Sequence, residues 1–329
     1  MQEIREQIPL DHPEPLPFPF NQRSFCHYER IEQRIESVRV LVINDLLHDE
    51  NDLSDLALEE WGAAGADAQL SRERYISGLA VDNILNNVKR LVREPETHVA
   101  HLSEIARAAE EFRPQAIVMS GTLSDFEFYN PSVIEEFGRF IRATKIPVLG
   151  ICGGHQLVGL GFGVKVETLD HLDPRVRRAG RPFEYQYRFI KITEPDDPIF
   201  RGILDEEPGV WQDYTKEARI LRVWQNHGLQ LSEVPEGFRM LATAYLCKNQ
   251  MMVRRAGGQL IYTVQFHLEK SFQDLNGEHT HREDPNDRKR MLREQASNRT
   301  RWAHQTESRD GRILFENFLR EALKHDEQF

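Results

Sequence analysis

Residues 148–163 read VLGICGGHQLVGLGFG. A short apolar run halts at a lone cysteine, two glycines follow, and a His-Gln pair opens a second apolar stretch. Few folds accommodate such a segment, because it asks for a strand, a turn with almost no room for side chains, and then a helix. Three readings compete: a glycine-rich phosphate loop, a buried core cysteine in a tight turn, and a nucleophile held on a strained strand-to-helix turn. The phosphate loop fails, since no Gly-Lys-Ser/Thr follows. Gly150 to Gly154 instead give G-x-C-x-G, the cysteine form of the nucleophile elbow, in which flanking side chains would collide with neighbouring strands. The helix N-terminus beneath favours the thiolate and predicts a lowered Cys152 pKa. The second glycine cluster, 159–163, precedes VKVETL and reads as a helix C-cap.

The flanking chain supplies the sheet that such a turn needs. VRVLVIN (38–44), THVAH, QAIVMSG (115–121) and PVLGI (147–151) read as strands. Between them LSDLALEEW, AVDNILNNVKRLV, LSEIARAAEEF and PSVIEEFGRFIRAT carry apolar residues at helical spacing, the third ended by Pro114 and the fourth opened by proline. This alternation predicts an α/β fold, an open and mostly parallel sheet with helices on both faces. The second half changes to short strands linked by turns, RFIKIT, RILRVWQNHG, FRMLATA, MMVRRAGG and LIYTVQFH. DGRILFENFLREALKH then closes the chain as an amphipathic helix with Ile313, Leu314, Phe318, Leu319 and Ala322 toward the sheet.

Residues 1–37 form an N-terminal extended arm, in which IPLDHPEPLPFPF alternates proline with apolar residues. One domain spans 38–329, with a polar insertion at 271–309. The insertion's middle reads as a charged helix with a thin stripe of Leu292, Ala296 and Ala303, Met291 and Trp302 lying alongside, narrow enough for a lid or docking surface. The net charge of −11 argues against a basic nucleic-acid face. No apolar run reaches the length of a membrane helix and the N-terminus is not a signal peptide. Three scattered cysteines make neither a disulfide framework nor a zinc site, so a reducing, cytoplasmic setting is expected.

A base for the cysteine stands in TVQFHLEKS (263–271). His267 falls at a strand end and Glu269 two residues on, and in an extended chain positions i and i+2 point to one side. The carboxylate is thereby able to hold the imidazole in one tautomer. Alone, the pair reads as a strand-end histidine beside a solvated acid. The order Cys…His-x-Glu gives it another meaning.

Together GICGGHQ and VQFHLE resemble the two signatures of class I glutamine amidotransferases, G-x-C-x-G-x-Q and V-Q-F-H-P-E, most nearly in the glutaminase domain of GMP synthases. The likeness covers roughly residues 38–270 and the final helix. VMSGTLSD stands where that family has its oxyanion strand, VWQNHGLQL where it has a substrate-facing segment, and PEGFRMLATA resembles the stretch after it. The resemblance implies Cys152 as nucleophile, His267 as base and later acid, and Glu269 as orienter. It implies backbone N–H groups of Gly121 and Gly153 as the oxyanion hole. Gln156 with Asn226, His227 and Gly228 would hold the α-groups of glutamine. No cofactor is implied.

Leu268 replaces the family's proline, which is expected to loosen the His267–Glu269 pair, and Thr122 replaces the second glycine of the oxyanion strand. The chain carries no ATP pyrophosphatase motif, so a synthetase would be a separate ammonia-accepting subunit. The expected reaction is glutamine to glutamate and ammonia through a γ-glutamyl thioester. The alternatives are a γ-glutamyl hydrolase or peptidase acting on a larger amide, and a catalytically inactive binding or regulatory module. His279 and His281 lack a third clustered ligand, so no metal is expected. DPRVRRAGR (173–181) reads as a solvated basic loop, with an acidic partner or substrate facing it as the alternative, and Cys26 and Cys247 read as small apolar packing residues.

Overall fold

Strands buried on both faces need apolar residues at every position, and Val40 to Ile43 supply them. In β1 (Ile35–Asn44) Val40 and Val42 face one side, Leu41 and Ile43 the other, and all four are inaccessible to solvent. The computed structural model describes residues 31–203, 219–270 and 309–327. The arm through residue 30, Cys26, the His279/His281 pair and the insertion helix lie outside the described residues. The core strand begins three residues before the expected boundary at 38, and Arg309, assigned to the insertion, already opens the closing helix.

After β1 the chain forms α1 (Asp55–Leu91), β2 (Val92–His101), α2 (Ile105–Phe112), β3 (Ala116–Met119), α3 (Pro131–Ala143), β4 (Val148–Ile151) and α4 (Gly153–Gly161). Next come β5 (Val166–Thr168), β6 (Glu184–Ile192), β7 (Ile220–His227), β8 (Leu229–Leu231), β9 (Arg239–Thr243), β10 (Met251–Arg254), β11 (Ile261–Val264) and α5 (Arg309–Asp326). The two helical stretches expected before β2 are parts of one long element. It is capped by Ser54, whose Oγ accepts from Ala57 N–H at 3.2 Å, and broken at Gly62, where φ is +63°.

Among the described residues, nine strands form one sheet in the order β2-β1-β3-β4-β11-β10-β9-β6-β7. β2, β1, β3, β4 and β11 run parallel, and the remaining four continue antiparallel. The change of rhythm in the second half of the sequence is this change of strand direction. β5 and β8 pair separately.

Helices cover both faces. Val81, Ile84 and Val88 of α1 and Leu314, Phe315, Phe318 and Leu319 of α5 pack on Val40, Val42 and Leu149. Ile105 of α2, Phe137 and Ile141 of α3 and Leu157 of α4 pack on Leu41, Ile43 and Ile117. β4 and β11 thus lie mid-sheet, and the chain leaving their C-terminal ends rises into the crevice where open α/β sheets bind ligands. No described helix is long and apolar enough to cross a membrane.

Phe318 is fully buried where α5 meets Tyr262, whose ring stands edge-on to it at 6.4 Å. Phe318→Ala is expected to cost about 3–5 kcal/mol, read as a lower urea midpoint at unchanged m-value. Tyr245→Ala, on a side chain 87% exposed, should change stability by no more than about 0.5 kcal/mol.

Candidate active site

Cys152 links the last residue of β4 to the first of α4 with φ +52° and ψ −100°, a conformation that L side chains rarely adopt. Backbone bonds pin the turn on both sides: Cys152 N–H donates to Val264 C=O at 2.8 Å, and Gly154 N–H to Ser120 C=O at 3.0 Å. The glycines answer to close contact. A Cβ on Gly150 would lie 2.8 Å from Gly154 O, within the same turn rather than on a neighbouring strand, and one on Gly153 would lie 2.4 Å from Thr122 N and Oγ1. Thr122 therefore packs directly against Gly153 and leaves no room there for a side chain. As the first helical residue, Gly153 has no intrahelical acceptor for its N–H.

His267 stands three residues beyond the end of β11, its N–H donating to Trp224 C=O at 2.8 Å. Its Nδ1–H donates to Glu269 Oε1 at 2.7 Å, so the replacement of proline by Leu268 leaves the pair tight rather than loose. The reason is packing: Leu268 is buried and joins the apolar cluster beneath the sheet. Gly121 lies between the imidazole and the thiol. A Cβ there would be 3.2 Å from His267 Cε1, 3.5 Å from Cys152 Cβ and 3.9 Å from its Sγ. His267 Nε2 is buried and has no hydrogen-bond partner among the described residues.

The expectation of an acidic thiol is overturned. The Cys152 thiol is pushed up to about 12, first by burial and then by the Glu269 charge. Lys270, the Gly153 N–H and the Gln265 amide favour the thiolate but are outweighed. The helix terminus acts in the expected direction and loses to desolvation. Burial likewise holds His267 below the ordinary imidazole value despite Glu269, and Glu269 stays ionised because the imidazole beside it offsets its own burial. The resting site is a neutral thiol beside a neutral imidazole. Sγ sits 4.0 Å from Asn226 C=O and 3.8 Å from Gln265 Nε2.

Both groups open into a cavity of about 430 Å³. Gly121, Gln156, Asn226, His227 and Gly228 line it too, so the structure brings every sequence-expected residue except Gly153 to its walls. Gln156 is more constrained than expected. Its Nε2 donates to Leu229 C=O and to Gln265 Oε1, both at 3.0 Å, which leaves its carbonyl oxygen for a ligand. The His227 ring donates from Nδ1 to Leu229 C=O at 2.9 Å and lies 3.1 Å from Glu184 Oε2. His155, in the signature itself, is buried against Thr263 Oγ1 at 2.7 Å and its pKa falls to about 3, so it is structural.

Sequence reasoning missed the far wall. Arg72, Ile76, Leu79 and Ala80 of α1 face the cavity with Leu46, and Glu73 anchors that helix. Glu73 is fully buried and accepts from Leu47 N–H at 2.8 Å, Gln69 Nε2 at 3.1 Å and Ser124 Oγ, the last on the segment after β3. The loop read as solvated also belongs here. Arg177 donates to Glu127 at 2.9 Å and Glu60 at 3.1 Å and stacks over Phe128 at 4.7 Å, while Arg181 and Phe183 line the cavity. The basic character of the loop left open that it faces an acidic partner or substrate, but its place at this cavity was hidden because the acids that hold the loop are distant in sequence. Among the described residues no group of three or more His, Cys, Asp or Glu is placed to hold a metal ion.

The glutamine amidotransferase class-I family model matches residues 79–283. The GMP synthase (glutamine-hydrolyzing) of Ralstonia pickettii is 31% identical over 190 residues, which are 55% of this chain and 30% of that protein. One of the subunits of the GMP synthase (glutamine-hydrolyzing) of Thermococcus kodakarensis is 33% identical over 158 residues, 48% of this chain and 67% of that one. The chain thus spans under a third of the length of the first relative. The crystal structure of a Thermoplasma acidophilum protein, itself assigned as one of the subunits of a GMP synthase, aligns with a TM-score of 0.50 at 17% identity. That alignment covers 92% of this chain and 98% of that one, and it supports the fold alone.

A thiol held near 12 has a simple kinetic signature. Alkylation of Cys152 by chloroacetamide, followed by mass spectrometry, should rise about tenfold per pH unit from pH 7 through pH 9. A plateau reached near pH 8.5, the ordinary cysteine value, would show that burial does not govern it.

Proposed function

The chain belongs to the glutamine amidotransferase class-I family, and from that premise we propose that it hydrolyses glutamine through a Cys152–His267–Glu269 triad. The observation that carries the reading is the meeting, at Gly121, of a thiol on a positive-φ turn with an imidazole whose other nitrogen is held by a carboxylate. Because both groups rest neutral, the proton moves as the bond forms. His267 Nε2 takes the Cys152 proton while Sγ attacks the amide carbon, and the carbonyl oxygen becomes the oxyanion. Gly121 and Gly153 N–H groups receive that charge, each such donor being worth about 3–4 kcal/mol in the transition state. The imidazolium, stabilised by Glu269, passes its proton to the departing nitrogen, the C–N bond breaks, and ammonia leaves a γ-glutamyl thioester. His267 then deprotonates a water that attacks the thioester, and glutamate and the thiol are restored.

The likeness to a GMP synthase that is divided into subunits supports ammonia transfer to a separate synthase partner. The second reading, hydrolysis of a larger γ-glutamyl amide, is supported by the apolar wall of Leu46, Ile76, Leu79 and Ala80 in a cavity of about 430 Å³. That volume lies in the range of pockets for ligands larger than an amino acid. Ammonia release from glutamine, set beside amine release from a panel of N-substituted γ-glutamyl amides, separates the two. Absence of both, with no thioester trapped on Cys152 by hydroxylamine, would leave the inactive-module reading.

Glu269→Gln should lower kcat by about 100-fold or more with a much smaller change in KM, because the lost group orients and stabilises the imidazolium rather than the ground state. Cys152→Ala should abolish turnover and keep the fold.

The pH profile follows from the direction of the His267 shift. The base is competent when neutral and is lost as pH falls through its depressed pKa. kcat/KM should therefore hold level from about pH 7 to 9 and decline only below about 6.5, the unperturbed imidazole value. A midpoint above 7 would contradict the buried, neutral base.

A further inference from the structure

The geometry points to the Asp125–Arg181 ion pair as the device that reads the α-ammonium and α-carboxylate of the amino-acid substrate, an inference resting on the glutaminase reading above. Arg181 donates to Asp125 through both terminal nitrogens, Nη1 to Oδ2 at 2.7 Å and Nη2 to Oδ1 at 3.1 Å. Both residues line the cavity that holds Cys152, and neither is freely solvated, with side chains 28% and 16% exposed. The pair forms part of the cavity wall. Asp125 follows Ser124, which α1 holds through Glu73, and Arg181 descends from the loop that Arg177 clamps.

Two features mark the pair as more than a clasp for that loop. The first is an unmet donor. Arg181 Nε is buried and has no partner among the described residues, although a buried N–H is costly to leave unpaired. The second is its position. A Cβ on Gly228 would lie 3.7 Å from that Nε, so the guanidinium edge runs along a backbone segment that borders the thiol two residues earlier, at Asn226 C=O.

From Asn226 to Gly228 two residues of chain span at most about 7 Å. In glutamine, five bonds separate the side-chain carbonyl carbon from the α-carboxylate oxygens, a reach of about 6 Å when extended. A substrate with its amide carbon at Cys152 therefore brings its α-groups to the Asp125–Arg181 pair. There the substrate carboxylate would satisfy Nε–H. Each Asp125 oxygen retains a lone pair after bonding Arg181, and these accept from the ammonium. The pair is neutral, and Arg177, whose Nη1 lies 3.9 Å from Asp125 Oδ2, is matched by Glu60 and Glu127, so the site selects a zwitterion over a simple anion or cation, which an isolated arginine would not do.

The test uses truncated substrates. 4-Carbamoylbutanoate lacks only the ammonium, and 4-aminobutanamide lacks only the carboxylate. For the full chain, each should show kcat/KM about 10- to 100-fold below glutamine, the scale of one charged hydrogen bond. Asp125→Asn should raise KM for glutamine with little change in kcat, yet treat 4-carbamoylbutanoate nearly as the unmodified protein does. Arg181→Gln should do the same for 4-aminobutanamide, and Arg181→Lys should recover part of the glutamine affinity. If either variant weakens glutamine and both truncated amides equally, the pair is only a structural clasp and the inference falls.

Calorimetric binding of the same three compounds to Cys152→Ala keeps the outcomes apart. Selective binding that depends on Asp125 and Arg181, without turnover in the unmodified chain, would sink the proposed hydrolysis and keep the reader. Turnover of glutamine that ignores both variants would do the reverse. No binding of glutamine at all would overturn both.

Discussion

Everything in the site hangs on one residue held in a backbone conformation it would not choose. A side-chain-bearing residue at φ +52° and ψ −100° costs roughly 1–3 kcal/mol and persists only when its surroundings over-determine it. Here they do. β4 lies between two parallel neighbours, so Cys152 cannot relax without breaking its bond to Val264, and the first turn of α4 is tied back to Ser120. The result is a thiol presented above the sheet edge with a helix start directly behind it. β3 ends beside that turn and delivers Gly121, while the chain leaving β11 delivers His267. Three strand ends in register do the positioning, and the loops refine it.

The electrostatic character of the site follows from the same burial. A cysteine at a helix N-terminus near a lysine invites the idea of a standing thiolate, as in thiol enzymes that depend on ion pairs. Burial reverses that balance, because a charged sulfur in this environment loses more hydration than one N–H and a lysine restore. Behind the turn, Asp45 is fully buried with both carboxyl oxygens unpartnered among the described residues, and burial pushes its pKa well above the usual carboxylate range. Beside the turn the thiol and the imidazole rest neutral, while Glu269 is ionised. In the proposed reaction the new charge at Cys152 and His267 would arise as bonds change, and it would be met by dipoles already in place.

Much of this was legible in the chain because the constraints are local. Glycine at 150, 153 and 154, cysteine at 152, and His267 two residues from Glu269 are short-range patterns with direct steric or geometric causes, and the β-branched runs declared the parallel strands. What escaped depends on contacts between segments far apart in sequence. The separate helical runs before β2 gave no sign of one long element, since its middle, GADAQLSRERYIS, looks polar in isolation. It is held instead by Glu73, whose partners Leu47 and Ser124 lie on other elements. Arg177 and Arg181 read as solvated because the acids that order them, Glu60, Asp125 and Glu127, come well before them. Leu268 appeared to weaken a motif, and its effect was set by an apolar cluster that no window around it reveals. The sign of the Cys152 shift was out of reach for the same reason, as desolvation is a property of the whole fold.

The join between β4 and β11 behaves as a mechanical linkage. Val264, paired with Ile151, is the last shared rung, and from it one arm runs one residue to the thiol and the other three residues to the imidazole. Neither arm has a joint able to take up slack. Gln265 N–H is fastened to Gln250 C=O at 2.9 Å, Phe266 is inaccessible to solvent, and His267 N–H is fastened to Trp224 C=O. One residue added to the longer arm would turn the imidazole away from the sulfur and cannot be absorbed elsewhere. The length requirement ends at Glu269. Added length is thereby sorted by position, costly to the Cys152–His267–Glu269 arrangement across residues 265–269 and indifferent to it immediately after them.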